Sequence, residues 1–193
     1  MAELLPRLRV DIASPALRSD RQTWLEIGFG GGEHLAHQGS LHPEIAFIGA
    51  EPFINGVAKL LALIEEKGLG NTRIHDGDVR YLLEGLPDAC LSRIYLLYPD
   101  PWPKVRHHKR RLVNPDTLGQ FHRILGPDGL FIFASDIADY VDWTRAHIAE
   151  HGGWVVVSDS AEAPRDWVET RYEAKAVKAG RQPRYLAFRR SAS

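Results

Sequence analysis

The stretch Thr23-Trp24-Leu25-Glu26-Ile27 runs directly into Gly28-Phe29-Gly30-Gly31-Gly32 and then into Glu33-His34-Leu35-Ala36-His37. The first five residues have the aromatic and branched side chains of a buried strand. The glycines allow a tight turn and let backbone N–H groups come close to a ligand. The residues after them open a helix. Strand, glycine loop and helix make the first half of a doubly wound α/β unit.

The chain continues in the same alternation. Residues 44–51 read as a second strand, and Phe53 to Lys67 as an amphipathic helix with Val57, Leu60, Leu61, Leu63 and Ile64 at core spacing, ended by Gly68 and Gly70. Thr72 to His75 is a third strand, followed by a short helix, Val79 to Leu83. Residues 91–98 form a fourth strand, apolar from Ile94 to Leu97. Asn114 caps a helix running to Leu125, with Pro115 at its first position. Gly126-Pro127-Asp128-Gly129 is a turn, and Leu130 to Asp136 a fifth strand. A helix over Tyr140 to Glu150, a sixth strand over Trp154 to Ser158 and a seventh over Tyr185 to Arg189, paired with the sixth, complete the pattern. The fold class is therefore α/β: a doubly wound, mostly parallel seven-stranded sheet with helices on both faces, the Rossmann-like arrangement. A single domain is expected over residues 23–193. Residues 1–22, with Pro6 and Pro15, read as an irregular arm holding at most one short helical turn.

In such sheets ligands bind beyond the carboxyl ends of the strands. Glu26, Glu51, Asp78, Asp100 and Asp136 all fall at that edge. Glu33 stands where the dinucleotide pattern G-x-G-x-x-G would place its third glycine, which argues against a nicotinamide oxidoreductase. Glutamates around the loop repel a pyrophosphate and suit a ligand with cationic groups and no phosphate. S-adenosylmethionine, with a sulfonium and an ammonium, is such a ligand. Gly28 and Gly30 would lie against it. Glu51, roughly 20 residues beyond the glycines, is placed to hold ribose hydroxyls. Asp78 faces the adenine or ribose end and also suits the N-cap of the following helix.

A second motif follows the fourth strand: Tyr98-Pro99-Asp100-Pro101-Trp102-Pro103-Lys104, then Arg106-His107-His108-Lys109-Arg110-Arg111. The prolines hold Asp100 rigidly. Trp102 either stacks on a base or plugs the core. The formal net charge of -1 is not that of a typical nucleic-acid binder, yet the cations between 104 and 111 are not interleaved with acids. A local positive field of that kind suits a phosphate backbone. A non-catalytic RNA-binding protein would share this feature.

Other chemistries find less support. Cys90 is the single cysteine, which excludes an internal disulfide and suggests a reducing compartment. It has no evident base partner and reads as a packing residue. His34, His37, His42, His107 and His108 lack a carboxylate or cysteine at ligand spacing, so no metal is expected. Asp76-Gly77-Asp78 lacks the further oxygen ligands of a calcium loop. With no apolar run long enough to span a bilayer and a polar, broken start, the protein is expected in the cytoplasm, away from membranes.

Taken together, Leu25 to Glu33, Phe47-Ile48-Gly49-Ala50-Glu51, Gly77-Asp78, the stretch from Tyr98 to Arg111, Ser135-Asp136 and Thr170-Arg171-Tyr172-Glu173 resemble the bacterial tRNA (guanine-N7-)-methyltransferase family of class I S-adenosylmethionine-dependent enzymes. The glycine loop marks only the broad class, whereas the Pro-Asp-Pro-Trp-Pro-Lys stretch and the Thr-x-Tyr-Glu segment are more specific. The resemblance implies that Glu26, Glu51, Asp78 and Asp100 contact S-adenosylmethionine. It also implies that Lys104, Asp136 and residues 170–173 contact the substrate, and that Arg106, His107, His108, Lys109, Arg110 and Arg111 contact RNA. The implied substrate is a guanosine in the tRNA variable loop.

Guanine N7 carries a lone pair and no proton, so methylating it needs no general base. The task is in-line placement, together with stabilisation of the cation that develops on the purine. Asp100 is the first choice for that carboxylate and Asp136 the second. Thr170 and Glu173 could read a guanine edge, and their spacing is also that of a helix capping box. A class I enzyme acting on an exocyclic amine is the competing assignment, because Asp-Pro-Trp resembles the acid-Pro-Pro-aromatic stretch of those enzymes. The sequence leaves monomer and homodimer equally open.

Overall fold

Side-chain alternation along the central strands sets the layers. In the computed structural model, which describes residues 3–11, 21–165 and 167–191, Leu25 and Ile27 enter one hydrophobic cluster and Trp24 the other. The same two-residue period separates Ile94 and Leu96 from Tyr95 and Leu97, and Phe131 and Phe133 from Ile132 and Ala134. Both faces of the sheet are thus apolar, and each must be covered by helices.

The strands are β1 (Thr23–Ile27), β2 (Ala46–Ala50), β3 (Thr72–His75), β4 (Leu91–Leu97), β5 (Leu125–Ser135), β6 (Trp154–Ser160) and β7 (Arg184–Arg190). They form one seven-stranded sheet in the order β3-β2-β1-β4-β5-β7-β6. Pairing is parallel from β3 through β5, and β7 runs antiparallel to both β5 and β6. Helices α2 (Glu33–Leu41) and α3 (Ile54–Lys67) cover one face, with Leu35, Val57, Leu60, Leu61 and Ile64 buried against Trp24 and Phe47. Helices α4 (Val79–Gly85), α5 (Pro115–Ile124) and α6 (Ala138–His151) cover the other, through Leu82, Leu118, Phe121 and Tyr140. Burying each such aliphatic side chain stabilises the fold by about 1.5–3 kcal/mol. The capping signal at Asn114 is realised. Its side chain accepts from Thr117 N, with Pro115 at the first turn.

The chain reverses its order of travel across the sheet between β1 and β4. The crevice beyond their carboxyl ends is where such folds bind ligands.

Three boundaries differ from the sequence expectation. The arm is more ordered than its prolines suggest. Leu4–Leu8 form a helix, α1, whose leucines pack on the α2/α3 side. Arg9 then bridges Ile74 in parallel, extending the edge at β3, and its guanidinium forks onto Asp76 at 2.8 and 2.5 Å. The rest of the expected arm, residues 1–2 and 12–20 with Pro15, lies outside the described residues. The turn at Gly126–Gly129 is an outward excursion within β5. Leu91 pairs with Leu125 and Arg93 with Leu130, so the additional residues bulge from the ladder with Asp128 at φ 60°. β6 reaches Ser160 because β7 continues to pair with it past an irregularity at Val156/Ser158.

Among the described residues, no helix is long and apolar enough to cross a membrane. No group of three or more His, Cys, Asp or Glu among them is placed to hold a metal ion.

Candidate active site

The crevice is an open cleft of about 380 Å³ at the carboxyl ends of β1, β2 and β4. Its floor is the glycine loop. Gly28 and Gly30 have φ of 68° and 56°, a left-handed backbone that side chains resist, and both line the cleft. At Gly28 a Cβ would meet nothing within 4 Å, so the turn leaves open space on the cleft side. Glu51, at the end of β2, is 5% exposed and holds the loop in place. Its Oε2 accepts from Gly30 N at 2.9 Å and its Oε1 from Phe53 N at 3.0 Å. Each oxygen retains a lone pair for a hydroxyl donor. Behind the loop, Gly56 of α3 lies so close that a Cβ there would fall 2.3 Å from the Gly30 carbonyl oxygen.

The second wall is the loop leaving β4. Tyr98, Pro99, Asp100 and Trp102 all line the cleft. Tyr98 and Trp102 flank Pro99 and Pro101 with φ of 50° and 44°, and holding non-glycine residues there costs of order 1–3 kcal/mol each. Such strain persists only where the surroundings over-determine it. Tyr98 N donates to Ala134 O at 2.7 Å, anchoring the start of the loop on β5. Asp100 is exposed. Residues Val105–Arg110 form a 3-10 helix. Within it Arg106 and Lys109 are exposed to solvent, while the Arg110 guanidinium lies 4.7 Å from the centre of the Trp102 ring and lines the cleft. The Trp102 alternatives are thus narrowed: its ring is a half-buried wall of the cleft, bearing a cation.

The third wall comes from α7 (Arg171–Lys178). Its capping box is complete, with Glu173 N donating to Thr170 Oγ1 at 3.1 Å. Glu173 is 6% exposed and its carboxylate is already engaged. It accepts from Trp167 Nε1 at 2.6 Å and from the Tyr185 hydroxyl. Burial and that carboxylate push the Tyr185 hydroxyl up to about 12, and burial raises the Tyr98 hydroxyl as well. The network fixes the start of α7 so that Tyr172 hangs over the glycine loop. A Cβ on Gly30 would lie 3.0 Å from Tyr172 Cε2. Lys175 stands 5.7 Å from the Tyr172 ring centre.

The expected residues therefore separate into groups. Gly28, Gly30, Glu51, Asp78, Asp100, Tyr172 and Arg110 share the cleft. Asp78 does so while capping α4 and pairing with Arg80, whose hydrogen bonds hold its carboxyl below the usual carboxylate range. Glu26 is not among the lining residues. Strand alternation turns it toward α2, where its Oε2 lies 2.7 Å from His34 Nδ1, both groups buried. Asp136 sits outside the cleft lining and pairs with Arg181. Glu173 is sequestered as described. Lys104, Arg106 and Lys109 are exposed, and His107 and His108 half-buried. Arg111 departs from the expectation of an RNA contact, because it is 1% exposed and faces inward. Tyr140 and Trp143 of α6 draw it there, their rings 4.8 and 5.1 Å from its guanidinium carbon. Sequence reasoning did not find Gly56, Trp167 or Arg80. Gly56 carried a signal, since a glycine inside an amphipathic helix costs about 1 kcal/mol and calls for a packing reason.

Comparison with known proteins gives the family and the fold. Residues 20–185 match a family model described as "Putative methyltransferase". A tRNA (guanine-N(7)-)-methyltransferase of Chelativorans sp. (strain BNC1) is 50% identical over 198 residues, covering 96% of this chain and 85% of that protein. One from Rhodospirillum rubrum is 52% identical over 173 residues, covering 88% and 68%. In fold, the chain is similar to the 16S rRNA methyltransferase KamB, with a TM-score of 0.69 at 18% identity over 91% of both chains. It is also similar to a 16S rRNA (adenine(1408)-N(1))-methyltransferase from Catenulisporales acidiphilia, with cosubstrate SAM, at a TM-score of 0.63, 15% identity and 90% and 88% coverage.

Proposed function

This chain belongs to the tRNA (guanine-N(7)-)-methyltransferase family, and on that premise we propose that it methylates N7 of a guanosine in the variable loop of tRNA, using S-adenosylmethionine. The observation that carries this reading is the placement of Asp100. It stands on one strained loop that lines the ligand cleft and continues into a helix of exposed cations.

The cleft suits the cosubstrate. It has acids at three strand ends and an open space above Gly28, and of the two arginines in its lining Arg80 is paired with Asp78 and Arg110 lies over the Trp102 ring. When bound, S-adenosylmethionine supplies the methyl group on a sulfonium, and the S–C bond breaks as the N7–C bond forms. Glu51 accepts from ribose hydroxyls with the lone pairs that the backbone leaves free. Tyr172 covers the glycine loop and excludes water. The Asp100 carboxylate faces the purine as positive charge develops on it and opposes that charge from a rigid, proline-held position. No side chain removes a proton, because N7 has none. The wall of Trp102 and Arg110 provides a flat surface beside which the base can lie. Lys104, Arg106 and Lys109 on one side, and Arg171, Lys175 and Lys178 on the exposed side of α7, hold phosphates.

The test is to incubate the protein with S-adenosylmethionine and a tRNA transcript, digest the RNA and identify the methylated nucleoside. 7-Methylguanosine is expected. N2-methylguanosine or N6-methyladenosine would transfer the assignment to exocyclic-amine chemistry, and unmodified RNA with tight binding would indicate a binding protein.

A further inference from the structure

We propose that Arg111 is a positioning residue that holds the Asp100 loop in its working shape, and not a phosphate contact. Its placement is unusual for the last member of a run of cations. The side chain is buried, and its own backbone N–H closes the 3-10 helix on His108 O at 2.9 Å. From there the guanidinium reaches back across the loop. Its Nε donates to the carbonyl oxygen of Pro101, the residue following Asp100, at 2.9 Å. Its Nη2 pairs with the Asp139 carboxylate on α6. The remaining nitrogen, Nη1, has no hydrogen-bond partner among the described residues and is packed among aromatic surface where the Tyr140 and Trp143 rings attract the cation.

One side chain thus ties three things together: the loop on which Asp100 stands, the basic 3-10 helix and the core helix α6. The loop needs such a tie. Its two left-handed residues, Tyr98 and Trp102, are not glycines, and among the described residues the Arg111–Pro101 bond is the hydrogen-bonded cross-link between Tyr98 N and the 3-10 helix. Prolines at 99, 101 and 103 remove the N–H groups through which a loop is usually fixed. A guanidinium is required because it can donate along two directions at once. A lysine could keep the pair with Asp139 but would not reach the Pro101 carbonyl with a second, fixed N–H. Asp139 serves as the outer anchor, and its carboxyl is held below the usual range by the Arg111 hydrogen bond. His108 Nε2 lies 3.6 Å from the same carboxylate.

The inference rests on the proposed reaction for its kinetic readout, and hydrogen exchange provides one that does not. Arg111→Lys and Asp139→Asn would be compared with the unaltered protein in single-turnover methyl transfer to tRNA, in tRNA affinity across a salt series, and in hydrogen exchange of the Tyr98, His107 and Arg111 amides, the hydrogen-bonded N–H groups at the two ends of the loop. For Arg111→Lys we expect faster exchange at these amides, a single-turnover rate lower by about 10- to 100-fold, as for a small misplacement of a reacting group, and an unchanged salt slope. Asp139→Asn, whose side chain is mostly solvent-exposed, should move the rate and the exchange in the same direction by a smaller factor. Should Arg111→Lys not fold, Asp139→Asn decides the matter alone. A salt slope reduced by the equivalent of about one neutralised phosphate, with the rate retained, would make Arg111 an RNA contact. Faster exchange with an unaltered rate would reduce it to a stabilising residue. Either result overturns the proposal. If the unaltered protein methylates no guanine N7, the function assignment fails, and the exchange data still judge the tie.

Discussion

Replacing Glu51 by glutamine tests whether one buried carboxylate serves both the loop and the proposed cosubstrate. In the structure its two oxygens accept from Gly30 N at 2.9 Å and Phe53 N at 3.0 Å. Glutamine keeps one acceptor and turns an NH₂ group toward the other N–H. Hydrogen bonds to a charged acceptor contribute about 1.5–3 kcal/mol each, so one broken bond with two donors facing each other costs about 2 kcal/mol. For a chain of this length that lowers Tm by about 4–8 °C. The same substitution halves the acceptors available to the ribose hydroxyls, a loss of about 1.5–3 kcal/mol, or roughly 10- to 100-fold in Kd for S-adenosylmethionine. Thermal unfolding without ligand and calorimetric titration with S-adenosylmethionine measure the two effects separately. A lower Tm with Kd within about twofold of the unaltered protein would show that Glu51 only braces the loop. If neither quantity moves, these two hydrogen bonds do not govern the site.

Two further outcomes follow from the geometry. Gly56→Ala improves helix propensity by about 1 kcal/mol, yet its Cβ would fall 2.3 Å from the Gly30 carbonyl oxygen. We expect a lower Tm and weaker S-adenosylmethionine binding, and a raised Tm in the unfolding scan would refute the close approach. Arg106→Ala combined with Lys109→Ala removes two exposed cations. tRNA affinity should fall and the plot of log Kd against log salt should flatten by roughly 0.7–0.9 for each phosphate no longer neutralised. An unchanged slope would remove the 3-10 helix from the RNA interface.

Local chemistry made the framework readable. Strand alternation and helix spacing place the sheet and its helices, the cap at Asn114 marks α5, and the offset of Glu51 from the glycines puts it at the cleft. What escaped sequence reasoning depends on distant partners. Arg111 reads as one more cation until Tyr140 and Trp143, some thirty residues on, provide it an aromatic enclosure. Glu173 reads as a possible base-reading carboxylate, but Trp167 and Tyr185 occupy it. Glu26 falls at the correct strand end while its side chain faces α2, a consequence of register that the linear order of acids does not convey. Tyr172 becomes a wall of the cleft only because the capping box and the Glu173 network hold α7 against the glycine loop. The excursion at Gly126–Gly129 could not be distinguished from a plain turn without the partner strand β4.

On the proposed mechanism, Asp100 joins the cosubstrate cleft to the proposed RNA-binding surface and stabilises the charge developing on guanine. Single-turnover methyl transfer by Asp100→Asn, measured with saturating tRNA and S-adenosylmethionine, tests it most directly. Loss of one charged stabiliser at a reacting centre is expected to slow the step by about 100- to 1000-fold while tRNA affinity is retained. A variant that turns over at the rate of the unaltered protein would contradict that role for Asp100.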